Sequence, residues 1–269
     1  MDRIEKFKAF ATGTPIDPAA DIDLINKYAL KELTPEGVFC FPIILADNEV
    51  DRDTEKFPKA SLDELAKLLT GKTGIFDHRW SAGNQVARLY RCEVVEQQGK
   101  NSVGEQKLAL RGSAYMLKIP ENEQLIAAIE GGIVKEVSIG FRLSEVACSV
   151  CGKKFKYAWD IGKYICENGH VKGAVADGKL VHGNMLGIKD GYEFSFVAVP
   201  SQRGAGVTKS VKDLSDAVEL MKSDDLATVN PEDLSTIIKR SQMALADNDE
   251  REERAKILAE NEKYLKGVN

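Results

Sequence analysis

A serine hydroxyl becomes a nucleophile when a base takes its proton as it attacks, and histidine suits that task because it titrates near neutrality. This chain has only three histidines: His78, His170 and His182. Ser138 lies in the apolar run Val137-Ser138-Ile139-Gly140-Phe141, sixty residues after Asp77-His78. A serine on an apolar strand and a distant histidine are the minimum parts of a nucleophile–base pair. Both are also common as packing or surface residues, so type and spacing alone do not assign them.

A second cluster points to a metal. Cys148 and Cys151 are separated by two residues, fourteen residues follow, and Cys166 and His170 are separated by three. Three thiolates and one imidazole suit a tetrahedral Zn²⁺ ion. All four ligands are protein groups, which leaves no position for a catalytic water, so the expected ion is structural. It would staple an insertion, about residues 146–175, that has little core of its own. Lysines 153, 154, 156, 163 and 172 surround the cluster and read as a solvated face, the alternative being a zinc ribbon that binds nucleic acid. His170 is committed to the metal, which leaves His78 and His182 as candidate bases.

Composition bounds the rest. The chain has 269 residues, 43% hydrophobic and 29% charged, with a formal net charge of −5. That charge provides no global attraction for nucleic acid or an anionic membrane. No stretch approaches the ~18 apolar residues of a transmembrane helix. The charged N-terminus lacks a signal-peptide core, which makes the cytoplasm the expected compartment. Five cysteines in a reducing compartment argue against a disulfide framework.

The patterning predicts a helix near residues 21–30 and a buried strand over 38–45, with Pro42 implying an edge or bulge. Ser61 and Glu64 have capping-box spacing at the start of a helix that Gly71 ends. Strands are expected near 85–95 and 106–116 around a turn at 97–104, then a helix over 121–130 and strands over 133–143 and 192–199. These elements imply an α+β domain on a barrel-like or strongly curved sheet. The expected organisation is an N-terminal extension (1–35), a central domain (36–207) and a helical tail (208–269).

The segment Lys72-Thr73-Gly74-Ile75-Phe76-Asp77-His78, followed by Val86-Ala87-Arg88-Leu89, resembles the histidine segment of tailed-phage prohead maturation proteases. Glu130-Gly131-Gly132 with Val137-Ser138-Ile139-Gly140-Phe141 resembles their nucleophile segment, and the run from Tyr192-Glu193-Phe194-Ser195 to Pro200 resembles their closing strand. The resemblance covers about residues 36–207. It implies a fold similar to the herpesvirus assemblin proteases, a small barrel wrapped by helices, with Ser138 as nucleophile and His78 as general base. Glu193 is the first choice for the third member, since alternation puts Glu193 and Ser195 on one strand face and Phe194 and Phe196 on the other. His182 is the second choice, because assemblins use a second histidine, and Asp77 is the third. A lysine base, Lys135, would sit on the opposite strand face from Ser138. Oxyanion donors are expected among backbone N–H groups near Gly140.

The resemblance further implies substrates among phage assembly proteins: the scaffolding segment of the major capsid protein precursor, portal and other prohead components, and the protease itself. Its place would be inside the assembling prohead, in the cytoplasm of the bacterial host, with self-association open. The 208–269 tail would pack with scaffold helices, and the small-residue stretch 201–209 would be a self-cleavage site. The rival expectation is a zinc-containing capsid assembly or scaffold protein without hydrolytic activity.

Overall fold

The computed structural model describes residues 16–208. The helical tail expected beyond Thr208, and residues 1–15 of the N-terminal extension, lie outside the described residues. The described chain is mixed α+β, mostly sheet, with three α-helices: α1 (Pro18–Asn26), α2 (Lys59–Leu69) and α3 (Pro120–Glu130). None of these is long and apolar enough to cross a membrane.

The strands of the main sheet are β1 (Val38–Asp47), β2 (Glu55–Lys56), β3 (Thr73–Phe76), β4 (Ala87–Lys100), β5 (Gln106–Leu117), β6 (Val137–Cys148), β11 (Gly183–Phe196) and β12 (Gly206–Val207). Two hairpins inserted between β6 and β11 supply β7 (Phe155–Ala158) with β8 (Lys163–Cys166), and β9 (Val175–Ala176) with β10 (Lys179–Leu180). The main sheet runs β12-β1-β5-β4-β3-β11-β2, and β6 pairs with β11 as well. β11 is therefore the hub: β2 and β3 lie parallel to its two ends, and β6 runs antiparallel along it. The sheet curls until β12 meets the residue before β6 through the single bridge Glu136–Gly206. A single bridge is not a ladder, and the barrel is not closed.

α2 covers the inside of the curve with Leu62, Leu65 and Leu69, which pack with Phe57, Leu89, Leu110, Phe194 and Phe196 in the main core. α1, within the expected N-terminal extension, packs on the sheet. Its Ile25 joins Val38, Tyr90 and Tyr115 in a second core, and its buried Asp21 accepts from the Tyr90 hydroxyl at 2.8 Å and pairs with Arg91.

Several elements depart from their expected form. Ser61 and Glu64 do not make a capping box, because α2 begins three residues earlier, with Pro58 rather than Ser61 at its N-cap. Both side chains reach β11 instead: Ser61 Oγ donates to Met185 O at 2.7 Å, and Glu64 Oε2 accepts from Ile188 N at 2.8 Å. Ser61 is buried, so Ser61→Ala leaves an orphaned carbonyl and is expected to lower stability by about 1–2 kcal/mol in urea unfolding. The strand expected from 133 begins at Val137, because Ile133 and Val134 donate to Ala128 O and finish the end of α3. β11 starts nine residues before the expected 192. The polar stretch Lys189-Asp190-Gly191 hides it, and the β6–β11 register shifts around Ile188–Asp190 absorb those residues.

Of the small-residue stretch 201–209 expected as a self-cleavage site, the described part is tied to the sheet. Ser201 O accepts from Arg52 N at 3.2 Å, Gln202 and Ala205 are buried, and β12 pairs with β1. Cleavage within 201–207 would first require that edge to peel away.

Candidate functional site

β3 lies parallel to the last turns of β11, with Thr73 opposite Glu193 and Ile75 opposite Ser195. On the other side β6 places Gly140 opposite Glu193 and Ser138 opposite Ser195. Residues opposite one another in a ladder share a face, so Ser138, Gly140, Glu193 and Ser195 point to one side. Phe194 and Phe196 point to the other and enter the core. The register slips between Gly191 and Glu193. Tyr192 is the extra residue of this bulge, a device that re-aims neighbouring side chains.

β3 ends at Phe76, and the next two residues turn left-handed: Asp77 at φ 51° and His78 at φ 54°. Two successive non-glycine residues in this region cost on the order of 1 kcal/mol or more each, and such strain persists where surrounding bonds hold it. Here Asp77 N donates to Phe196 O at 3.0 Å and Arg79 N to Phe76 O at 3.0 Å. Asn84 Nδ2 donates to both Phe76 O and Arg79 O at 3.0 Å. His78 N donates to Ser195 Oγ at 3.0 Å.

This turn brings the His78 ring over the face that carries Glu193. His78 Nδ1 lies 2.8 Å from Glu193 Oε1, and the second carboxylate oxygen accepts from Ser195 Oγ at 2.7 Å. The Glu193 side chain is 2% exposed and the His78 side chain 42%. A carboxylate can only accept, so this network puts a ring hydrogen on Nδ1, and in the neutral imidazole Nε2 is then the nitrogen with the lone pair. His78 and Glu193 line an open cleft of about 300 Å³ with Trp80, Ile139, Gly140, Phe141 and Tyr192. Trp80 packs on Tyr192 with ring centroids 5.2 Å apart.

Gly140 is required by space. A Cβ added there would lie 2.1 Å from Glu193 Oε1. Gly140→Ala must therefore displace the carboxylate from His78. The expected result is loss of the histidine's orientation, measured as a change in the ¹⁵N signature of the His78 ring.

Ser138 is half-buried on β6, directly across from Ser195. Among the described residues, the His78 ring bonds to Glu193 and no hydrogen bond joins His78 to Ser138. His182 lies elsewhere. It precedes Gly183 at the far end of β11, with Nδ1 3.3 Å from Leu180 O, and burial pushes its imidazole below the ordinary histidine value. It cannot serve as a second histidine beside His78. Asp77 shares the left-handed turn and is not bonded to the ring. Lys135 is exposed, with its Nζ 3.8 Å from Glu136.

At that same far end, Gly183 pairs with Cys148, ten residues along β6 from Ser138. The donor atoms of Cys148, Cys151, Cys166 and His170 all lie within 4.8 Å of one another and could hold a metal ion. His170 Nδ1 is 3.4 Å from Cys166 Sγ and 3.7 Å from Cys148 Sγ, and Cys151 Sγ is 3.5 Å from Cys166 Sγ. Those spacings fit the edges of a tetrahedron with metal–sulfur bonds of about 2.3 Å. The first pair is shaped by a tight turn in which Gly152 N donates to Cys148 O and Cys148 N to Lys153 O, both at 2.8 Å. Burial pushes the Cys148 thiol up. Burial also raises the Cys166 thiol, but backbone N–H donors of His170 and Asn168 and the side chains of Cys151 and His170 outweigh it and bring it down to about 7. Cys40 and Cys92 differ: burial raises both to about 12, so they remain inert thiols.

Sequence reasoning missed Ser195 as a hydrogen-bonding partner, the steric role of Gly140, and the aromatic wall of Trp80 and Tyr192. The alternation of β11 carried a signal for Ser195, since it shares a face with Glu193. No family model, curated protein or solved structure matches this chain.

Proposed function

We propose that this chain is a serine endopeptidase in which Ser138 is the nucleophile, His78 the general base and Glu193 the residue that orients it. The observation that carries the reading is the 2.8 Å contact between His78 Nδ1 and the buried Glu193 carboxylate, on the sheet face that also carries Ser138. A carboxylate in that place holds one tautomer and favours the imidazolium that forms during attack. The strained turn at His78 supports a site held in one geometry.

In the proposed reaction Ser138 Oγ attacks the scissile carbonyl carbon and its proton passes to His78 Nε2. His78 then gives that proton to the leaving amine as the C–N bond breaks, which leaves an acyl-enzyme. Water attacks the ester carbonyl, His78 takes its proton, and the acid product departs as Ser138 is reprotonated. Backbone N–H groups near Gly140 are the candidate oxyanion donors. Apo sites are often looser than the reacting complex, which accommodates a serine and histidine not yet bonded.

The Cys148, Cys151, Cys166 and His170 set would bind structural Zn²⁺, from its three sulfurs, one nitrogen and closed coordination. It takes no part in the chemistry. The curled sheet, whose ends meet at Glu136–Gly206, is compatible with an assemblin-like barrel. With the motif resemblance, this supports a prohead maturation protease acting on the capsid precursor, its scaffold segment, prohead components and itself, inside the assembling shell.

A fluorophosphonate tests the reading directly. Attack by Ser138 forms an Oγ–P bond, expels fluoride and passes a proton to His78. Mass spectrometry should place the adduct on the peptide containing Ser138. Labelling that persists in Ser138→Ala would place the nucleophile elsewhere. A second reading, a zinc-containing assembly protein without hydrolytic activity, is favoured by the missing Ser138–His78 hydrogen bond. It predicts no adduct at Ser138 and unchanged capsid maturation in Ser138→Ala.

A further inference from the structure

We infer that Ser195 is a positioning residue that sets the orientation of both His78 and Glu193, an inference that rests on the catalytic reading of that pair. One hydroxyl works in two directions. Its oxygen accepts from the His78 backbone N–H at 3.0 Å, and its hydrogen goes to Glu193 Oε2 at 2.7 Å. The first bond ties down the left-handed turn that carries the imidazole. The second stops the carboxylate from rotating, so that Oε1 stays toward His78 Nδ1.

Ser195 is fully buried, which removes it from the role of nucleophile. It is also in register with Ser138 on β6 and Ile75 on β3. Strands flank it on both sides, so a small side chain fits and a long polar one does not. Alanine fits as well, but it would remove the partner of Glu193 Oε2, on the carboxylate that holds the ring, and of the His78 backbone N–H itself. A residue that only filled space would have neither partner.

The test uses the full chain with Ser195→Ala, Ser195→Cys and Ser195→Thr. Cysteine keeps the volume while its sulfur is a weak donor and acceptor, which separates hydrogen bonding from packing. Threonine keeps the hydroxyl. The first readout is the ¹⁵N signature of the His78 ring, assigned by its loss in His78→Gln. Wild type should show a single tautomer with hydrogen on Nδ1; Ser195→Ala and Ser195→Cys should show a tautomer mixture, and Ser195→Thr should restore the wild-type signal. The second readout is fluorophosphonate modification of Ser138, which should slow about 100-fold in the alanine and cysteine variants and recover with threonine.

If Ser195→Ala fails to fold, by circular dichroism, the cysteine variant decides. A folded Ser195→Cys chain with the wild-type His78 signature and a modification rate within about twofold of wild type overturns the assignment. Should wild type not react with the fluorophosphonate at all, the catalytic reading fails, while the tautomer readout still decides whether Ser195 positions the pair.

Discussion

His78→Gln is expected to slow fluorophosphonate modification of Ser138, and cleavage of any peptide substrate, by about 10⁴-fold or more, and Ser138→Ala to abolish both. In the proposed mechanism the proton goes to His78, because among the described residues His182 lies at the other end of β11 and His170 sits with the three cysteines that could hold a metal. Glu193→Gln should cost about 10³- to 10⁴-fold. An amide can present N–H toward Nδ1 and draw the ring into the wrong tautomer, which moves the hydrogen onto the nitrogen needed as base. Glu193 is almost fully buried and bonded through both oxygens, so thermal unfolding must accompany the kinetics. The informative comparison is the rate measured well below the melting midpoint of each variant. Full activity in a folded Glu193→Gln chain would remove the carboxylate from the mechanism, and full activity in His78→Gln would end the proposal.

On the proposed reading, stripping zinc from the Cys148, Cys151, Cys166 and His170 set is expected to unfold the insertion and leave the proposed serine site reactive. The cluster sits about ten residues of strand from Ser138, roughly 30 Å along β6. The insertion's own core is small: Cys148, Phe155, Cys166 and Val181. Two short hairpins around so few apolar groups cannot offset the entropy of ordering the segment, whereas apparent zinc affinities of structural sites reach about 10–16 kcal/mol. The purified chain should contain about one equivalent of zinc by elemental analysis. Chelation, or Cys166→Ser, should open residues 149–181 to limited proteolysis, with the cuts mapped by mass spectrometry. Ser138 labelling should stay within about threefold of the metal-loaded chain, given that separation. Proteolytic resistance unchanged after the metal is stripped would show that the insertion holds itself, and loss of labelling would show that the two ends of the β6–β11 ladder are coupled.

The legible parts of this protein are those written in local pattern. Leu62, Leu65 and Leu69 mark the buried stripe of α2 because helical period shows in a short window. The paired spacing of Cys148, Cys151, Cys166 and His170 marks a cluster that could hold a metal, since each pair spans one tight turn. β11 shows through Tyr192–Phe196, where alternation separates Glu193 and Ser195 from the two phenylalanines. Its first nine residues were not legible, because glycine and charge are tolerated where a register shift replaces regular pairing. Ser61 and Glu64 misled for a related reason. Their spacing is that of a cap, but β11 offers both side chains a buried partner, and a buried carbonyl or N–H left unmet is costly.

By itself, then, the sequence determined the α+β class, a Cys148, Cys151, Cys166 and His170 set that could hold a metal, and the residue types from which a serine site would be built. Tertiary structure alone decided how those residues meet. Whether His78 reaches Glu193 depends on a left-handed turn held by Phe196, Asn84 and Ser195. It depends equally on the missing side chain of Gly140 and on the register that sets Ser138 across from Ser195. Apart from those of Asn84, which are local, these are contacts between residues far apart in the chain, and they rest on strand pairing that local composition does not encode.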